Sequence, residues 1–137
     1  MSEQRTYQIQ MKVPFHDLDP MHVVWHGNYF KYFDIVRFGL FSDAGIDLHR
    51  YSMENNYIFP VTKTSTKYIV PLRYGDEFIC RSTLIDASIK IVMNFEIQRV
   101  KDKVLCTKAK SDQVAVKMPE MEMMFEIPKD LRAPLGF

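Results

Sequence analysis

The sequence predicts an α+β domain in which one sheet of antiparallel strands wraps a single long central helix. Three observations carry this. Phe15–Phe41 (FHDLDPMHVVWHGNYFKYFDIVRFGLF) runs from a loop crowded with titratable side chains into a segment with helical periodicity. Taking Tyr29 as reference, Phe33, Val36 and Leu40 fall at i+4, i+7 and i+11, one stripe of a helix. The reverse side carries Phe30, Ile35, Phe38 and Phe41 instead of charges, the pattern of a helix buried in a core. The order of elements completes the picture, with one strand before the helix and about four strands after it.

The first strand is Thr6–Val13, where Tyr7, Ile9, Met11 and Val13 alternate with Gln8, Gln10 and Lys12 at period two. Pro14 closes it. Pro20 marks a turn, and the helix is expected to start near Val24–Gly27 and to stop at Ala44-Gly45. Asp47 is placed to cap a short second helix over Leu48–Asn55. Tyr57–Val70 is rich in Val, Ile, Thr and Tyr and reads as a long strand, with Pro60 requiring an irregular start or an edge position. The Pro71–Asp76 stretch is a turn by composition. Glu77–Ala87, Lys90–Val100 and Val104–Lys117 follow as three strands, joined by the polar connections Asp86-Ala87-Ser88 and Lys101-Asp102-Lys103. After Pro119, EMEMMFEIP reads as a last strand or as a tail lying on the sheet. Six helix side chains fully buried would contribute roughly 9–18 kcal/mol as an upper bound, enough to make the helix the core.

The 137 residues are read as one domain, 1–137, with the first few residues and 118–137 the least patterned parts. A chain of this size profits from self-association, which would also cover an unpaired sheet edge. Hydrophobic residues are 47% and charged residues 26%, as in ordinary globular proteins. The net charge of +1 supplies no field for nucleic acid or for an acidic membrane surface. The N-terminus has no apolar core of a signal peptide, and no run approaches roughly 18 apolar residues. Cys80 and Cys106 lack motif spacing and read as reduced thiols, so the expected location is the cytoplasm.

The chemistry is concentrated in His16, Asp17, Asp19, His22 and His26. A carboxylate beside the N-terminus of a buried helix can serve as a nucleophile or as a general base on water. The backbone N–H groups from about Trp25 to Gly27 can hold an oxyanion there, and His26 can orient a carbonyl or assist proton transfer. On the structural alternative, Asp19 caps a turn and His26 is a hydrogen-bonded core residue. His22 and His26 stand at i, i+4 like a zinc-binding pair, but Val23 occupies the place of the glutamate such a motif uses, so no metal is expected. Asp34 and Arg37, at i and i+3, are expected to form an ion pair, and Asp34 in so apolar a helix stays a backup carboxylate beside Asp17.

These residues resemble a family. Phe15-His16-Asp17-Leu18-Asp19-Pro20, Val23-Val24-Trp25-His26, Asn28-Tyr29 and Tyr32-Phe33-Asp34 are similar to the signature of the 4-hydroxybenzoyl-CoA thioesterase family, and more closely to acyl-CoA thioester hydrolases with the run VVWHGxYxxYF. The turn Pro71…Gly75-Asp76 fits as well. The resemblance implies a hotdog fold, a curled antiparallel sheet round one helix, assembled as a homodimer or homotetramer. It also implies hydrolysis of an acyl-CoA or acyl-carrier-protein thioester at a subunit interface, with no cofactor beyond the coenzyme A of the substrate. On it Asp19 and His26 fall on catalytic positions and the amide near His26 on the oxyanion donor. Phe15, His22, Trp25, Tyr29 and Phe59 are the candidate substrate-binding residues. Two departures stand out: Phe15 replaces a tyrosine of one branch, and His22 replaces the usual loop glycine. Two alternatives stay open. Asp17–His22 resembles the Asp-x-Asn-Pro-x-His of (R)-specific enoyl-CoA hydratases, with Asp19 in place of the asparagine, and the departures also suit a non-catalytic acyl-thioester binding subunit.

Overall fold

The computed structural model describes residues 4–137. Strand β1 is Thr6–Lys12, followed by a short 3-10 turn at Phe15–Asp17 and helix α1 at Asn28–Asp43. Helix α2 spans Leu48–Asn55, with the Asp47 carboxylate accepting from the Arg50 N–H as its cap. Strands β2 (Tyr57–Ile58), β3 (Val61–Tyr68), β4 (Glu77–Asp86), β5 (Ile91–Arg99) and β6 (Leu105–Gln113) follow. Two further short strands, β7 (Val116–Lys117) and β8 (Glu122–Met123), precede helix α3 at Lys129–Leu135.

The main sheet is antiparallel in the order β1-β4-β5-β6-β3, and β2, β7 and β8 form a small second sheet. Register shifts at Val61/Lys63, Leu84/Asp86 and Ile97/Gln98 bend the main sheet, as bulges do. Period two places Phe78, Cys80, Ser82 and Leu84 of β4 and Ile91, Met93, Phe95 and Ile97 of β5 on the buried face. Helix α1 lies there, Phe33 stacking on Phe95 at 4.8 Å and Tyr32 tilting on Phe78 at 5.0 Å between ring centres. Gly39 permits the close approach of β1, since a Cβ there would stand 2.4 Å from the Tyr7 ring. One curled sheet round one long helix is therefore the architecture, as the sequence predicted.

Helix α1 begins at Asn28 with Gly27 as its N-cap, at the end of the expected Val24–Gly27 start, while Leu18 bridges Val24 and the Val24 N–H bonds to the Leu72 carbonyl, keeping Val24 itself extended. Three expectations need correction. The helix is not buried all round. Tyr29, Tyr32, Phe33, Val36, Leu40 and Phe41 are inside, but Phe30, Ile35 and Phe38 are exposed on its outer side. The strand at Pro60 does start irregularly and β3 does lie at the sheet edge, but Tyr57–Val70 is two strands and not one, and the last long strand likewise breaks after Gln113. Helix α3 was not foreseen; Pro134 within it hides the pattern, while Leu131 and Leu135, one turn apart, are buried.

Candidate active site

The loop between β1 and α1 is built on Asp17. Its side chain is buried, one oxygen accepting from Lys31 Nζ at 2.6 Å and the other from the Tyr32 hydroxyl at 2.6 Å. Its backbone carbonyl accepts from the Trp25 N–H at 3.0 Å and from Asn28 Nδ2 at 2.9 Å. Burial pushes the Asp17 carboxyl up, but the hydrogen bonds from Lys31 and Tyr32 and the Lys31 charge outweigh it and hold the group below its ordinary value. Burial and the bond to Asp17 raise Tyr32, which keeps its proton as the donor. Asp17 is thus an anchor that fastens the loop to the first turns of α1. With both oxygens engaged by Lys31 and Tyr32, it is poorly disposed to act with His22 on a water.

From Asp17 the chain forms a miniature antiparallel ladder. The Asp19 N–H donates to the Val23 carbonyl at 2.8 Å, and the Asp19 carbonyl accepts from the His22 N–H at 2.9 Å. The Asp19 carboxylate is half-buried and caps this turn through Oδ1, which accepts from the Met21 N–H at 2.8 Å and from the Val23 N–H at 3.5 Å. Oδ2 has no partner among the described residues. The capping reading and the catalytic reading of Asp19 are therefore compatible, one oxygen serving each.

His22 sits at the tip with φ of 64°, in the left-handed region. That conformation explains why a glycine suits this position, since an L-residue there costs roughly 1–2 kcal/mol. His22→Gly is expected to stabilise the fold by up to about 1 kcal/mol in urea unfolding, part of the gain being lost to the greater freedom of glycine in the unfolded chain. A lowered midpoint would show instead that the imidazole makes a contact worth more than the strain.

The ladder delivers Trp25, His26 and Gly27 to the N-terminus of α1. Trp25 is half exposed and its ring covers Gly27, where a Cβ would lie 2.3 Å from the indole, so glycine is what the close packing admits. Helix α1 has no side-chain cap and no acidic residue in its first turn. The Trp25 N–H is spent on Asp17, which removes it from the expected set of oxyanion donors. The N–H groups of His26 and Gly27 have no acceptor among the described residues. They are orphan donors at the positive end of a 16-residue helix.

The side chains gather unevenly. His26 is exposed and not a core histidine, lying 5.2 Å from the Trp25 ring and 6.4 Å from the Tyr68 ring, and its carbonyl accepts from the Tyr68 hydroxyl at 3.0 Å. Phe15 is exposed with its edge against Tyr74. Tyr29 is buried, its hydroxyl accepting from the Leu72 N–H at 3.2 Å. Phe59 has Tyr51 and Tyr57 as its aromatic neighbours, beside α2. Asp34 pairs with Arg37 as the spacing implied, yet its own side chain points largely to solvent. Both His22 and His26 precede the helix, so they do not share a helical turn, and among the described residues no cluster of three metal-ligating side chains occurs. Tyr68, Tyr74 and Lys31 are the partners that sequence reasoning missed; Tyr68 and Tyr74 arrive from a distant strand and turn, with no spacing to betray them.

The sequence model of the thioesterase-like superfamily matches residues 13–135. The chain belongs to the thioesterase-like superfamily. No curated protein sequence matches it. Among solved structures, the 4-hydroxybenzoyl-CoA thioesterase of Pseudomonas sp. strain CBS-3 superposes with a TM-score of 0.85 at 20% identity, over 95% of this chain and 99% of that one. A 1,4-dihydroxy-2-naphthoyl-CoA thioesterase from Synechocystis gives 0.84 at 17% identity over 96% of each chain. A Staphylococcus aureus protein solved with CoA gives 0.85 at 14% identity, over 99% of this chain and 85% of that one. This superfamily member therefore has the hotdog fold. Among its described residues no helix is long and apolar enough to cross a membrane.

Proposed function

We propose that the protein hydrolyses an acyl thioester of coenzyme A or of an acyl carrier protein to the free acid and thiol. The observation that carries this reading is the presence on one short loop of Asp19, with one carboxylate oxygen unengaged, and of the two orphan N–H groups of His26 and Gly27 at the head of α1. The thioester carbonyl is held with its oxygen on those donors, which strengthens as negative charge develops in the transition state. The free oxygen of Asp19 attacks the carbonyl carbon or takes a proton from the attacking water, and the thiolate leaves. His26 borders the site as an orienting side chain, with Trp25 and Phe15 as apolar walls. The chemistry so drawn uses no metal and no cofactor other than the coenzyme A of the substrate. The names of the structural relatives, which act on CoA esters, support the choice of substrate class.

The test is free-thiol release from short, long and aromatic acyl-CoA esters. Turnover of any of them by the wild type supports the reading. A folded protein silent on every CoA and carrier-protein thioester overturns it, and tight binding without turnover would make it a binding subunit.

We place the working unit in a homo-oligomer, dimer or tetramer. Strand β3 is an edge with an unpaired row of backbone groups, and Phe30, Ile35 and Phe38 are exposed on the helix. Sedimentation is expected to give a mass of two or four chains at micromolar concentration. A single-chain mass would refute it.

A further inference from the structure

The peptide unit that joins His26 to Gly27 carries two groups with different fates. Its N–H, on Gly27, is one of the orphan donors at the head of α1. Its carbonyl, on His26, accepts from the Tyr68 hydroxyl at 3.0 Å and from the Tyr29 N–H at 3.4 Å. Helix α1 starts at Asn28, so this carbonyl lies ahead of the helix, with the phenol as its closer partner. A peptide unit is planar and resonant, so holding the carbonyl also holds the N–H on its other side. Hydrogen bonds in series polarise one another, by roughly 10–30% per bond. A donor on the His26 oxygen therefore makes the Gly27 N–H a better donor in turn.

Tyr68 is well placed to give this bond. It is the last residue of β3, and its ring stands edge-on to the buried Tyr29 ring at 5.1 Å and to the His26 ring at 6.4 Å between centres. Burial raises the Tyr68 phenol above its ordinary value of 10.0, so it stays protonated and donates. The other orphan amide is held differently. The His26 N–H shares its peptide with the Trp25 carbonyl, which accepts from the Asn28 N–H at 2.9 Å, backbone to backbone. Of the two donors, it is the Gly27 N–H that answers to a side chain.

We propose that Tyr68 is a positioning residue of the oxyanion site, which aims and strengthens the Gly27 N–H through the His26 carbonyl. This role rests on the thioesterase reading and adds to it a residue from a distant strand. Tyr68 touches no reacting atom in it and acts through the backbone. Its pull matters most when the thioester oxygen carries the negative charge of the transition state, so the effect falls on kcat and not on KM.

Thiol release is compared in wild type, in Tyr68→Phe, and in a variant with 3-fluorotyrosine at position 68. Phenylalanine removes the hydroxyl and keeps the ring that packs on Tyr29. Fluorination keeps the bond and makes the phenol a stronger donor, and it tests the role even where the phenylalanine variant is unstable. Loss of a whole oxyanion donor costs roughly 10²–10³ in kcat, so weakening one is expected to cost about tenfold, with KM within about twofold. In the fluorinated variant kcat is expected to rise above wild type. A wild-type kcat in Tyr68→Phe, or a loss that appears in KM alone, overturns the role. A loss in Tyr68→Phe with no response to fluorination assigns Tyr68 to packing and overturns it as well.

The amide nitrogen resonance of Gly27 in the isotope-labelled, ligand-free protein needs no turnover, because it follows the hydrogen bonding of the carbonyl in its own peptide. It is expected to move in opposite directions in the two variants, and the His26 amide resonance to move less. If wild type leaves every thioester intact but the Gly27 resonance moves in this way, the hydrolase reading falls and the control of the amide by Tyr68 stands. If wild type is active and the Gly27 resonance does not follow the phenol, the role of Tyr68 falls and the hydrolase reading stands.

Discussion

Replacing Asp19 by asparagine is expected to lower thiol release by roughly 10²- to 10⁴-fold while leaving the fold in place. The two carboxylate oxygens of Asp19 have separate tasks. Oδ1 accepts from the Met21 N–H and holds the turn, and an asparagine oxygen can keep that bond. The unengaged oxygen is the one assigned to the chemistry, and an amide in its place neither attacks a carbonyl nor accepts a proton at neutral pH. Loss of activity with an unchanged unfolding midpoint would therefore be a chemical effect, equivalent to roughly 3–5 kcal/mol of barrier. His26→Ala should do less, because the backbone donor assigned to the oxyanion survives the truncation. Full turnover in Asp19→Asn would move the carboxylate role elsewhere. Asp34 would then be the next to test, since its side chain is accessible and Asp17 is not.

Asp17→Ala is expected to destabilise the protein by about 2–4 kcal/mol, the largest stability effect foreseen for the loop. The substitution strands the Tyr32 hydroxyl in the core, while Lys31, about half exposed, can turn to water. It also loosens the loop that carries Asp19, so turnover should fall with stability. The pH dependence follows from the lowered native pKa. A carboxyl that ionises more easily in the native state than at its ordinary 3.8 contributes stability that is complete above that value. The contribution is lost as the pH falls through the lowered native pKa. Urea unfolding of wild type and Asp17→Ala should show the full gap near pH 7 and a narrower one near pH 2. A gap independent of pH would mean that hydrogen bonding alone, without the charge, sets the role of Asp17.

Asp17 and Asp19 show how far sequence reading reaches. Both were singled out as titratable residues of one loop, and nothing in their spacing separates them. The structure separates them by burial. Asp17 turns inward onto Lys31 and Tyr32, residues fourteen and fifteen positions away, and Asp19 stays at the surface of a four-residue turn. The helix was legible from its stripe, and its C-terminus from Ala44-Gly45, because those signals are local. Its N-terminus was legible to within a few residues; what the sequence did not show is that Val24 is held extended by Leu72, a contact made across the chain. Phe30, Ile35 and Phe38 misled for a related reason. Apolar residues facing away from a core look like core residues until the packing is known.

What the sequence by itself determined is therefore the content of short-range physics. It includes the order of the main-sheet strands and of the first two helices, the turn residues, the Asp47 cap, and a motif dense enough to identify the family. Periodicity and local capping suffice for these, since each depends on residues a few positions apart. Only the tertiary structure decided which carboxylate is anchored and which is free, which backbone amides are left without partners, and that Tyr68 of a distant strand donates to the His26 carbonyl. Those properties depend on desolvation and on partners drawn from distant strands, and burial is decided when the sheet closes on the helix.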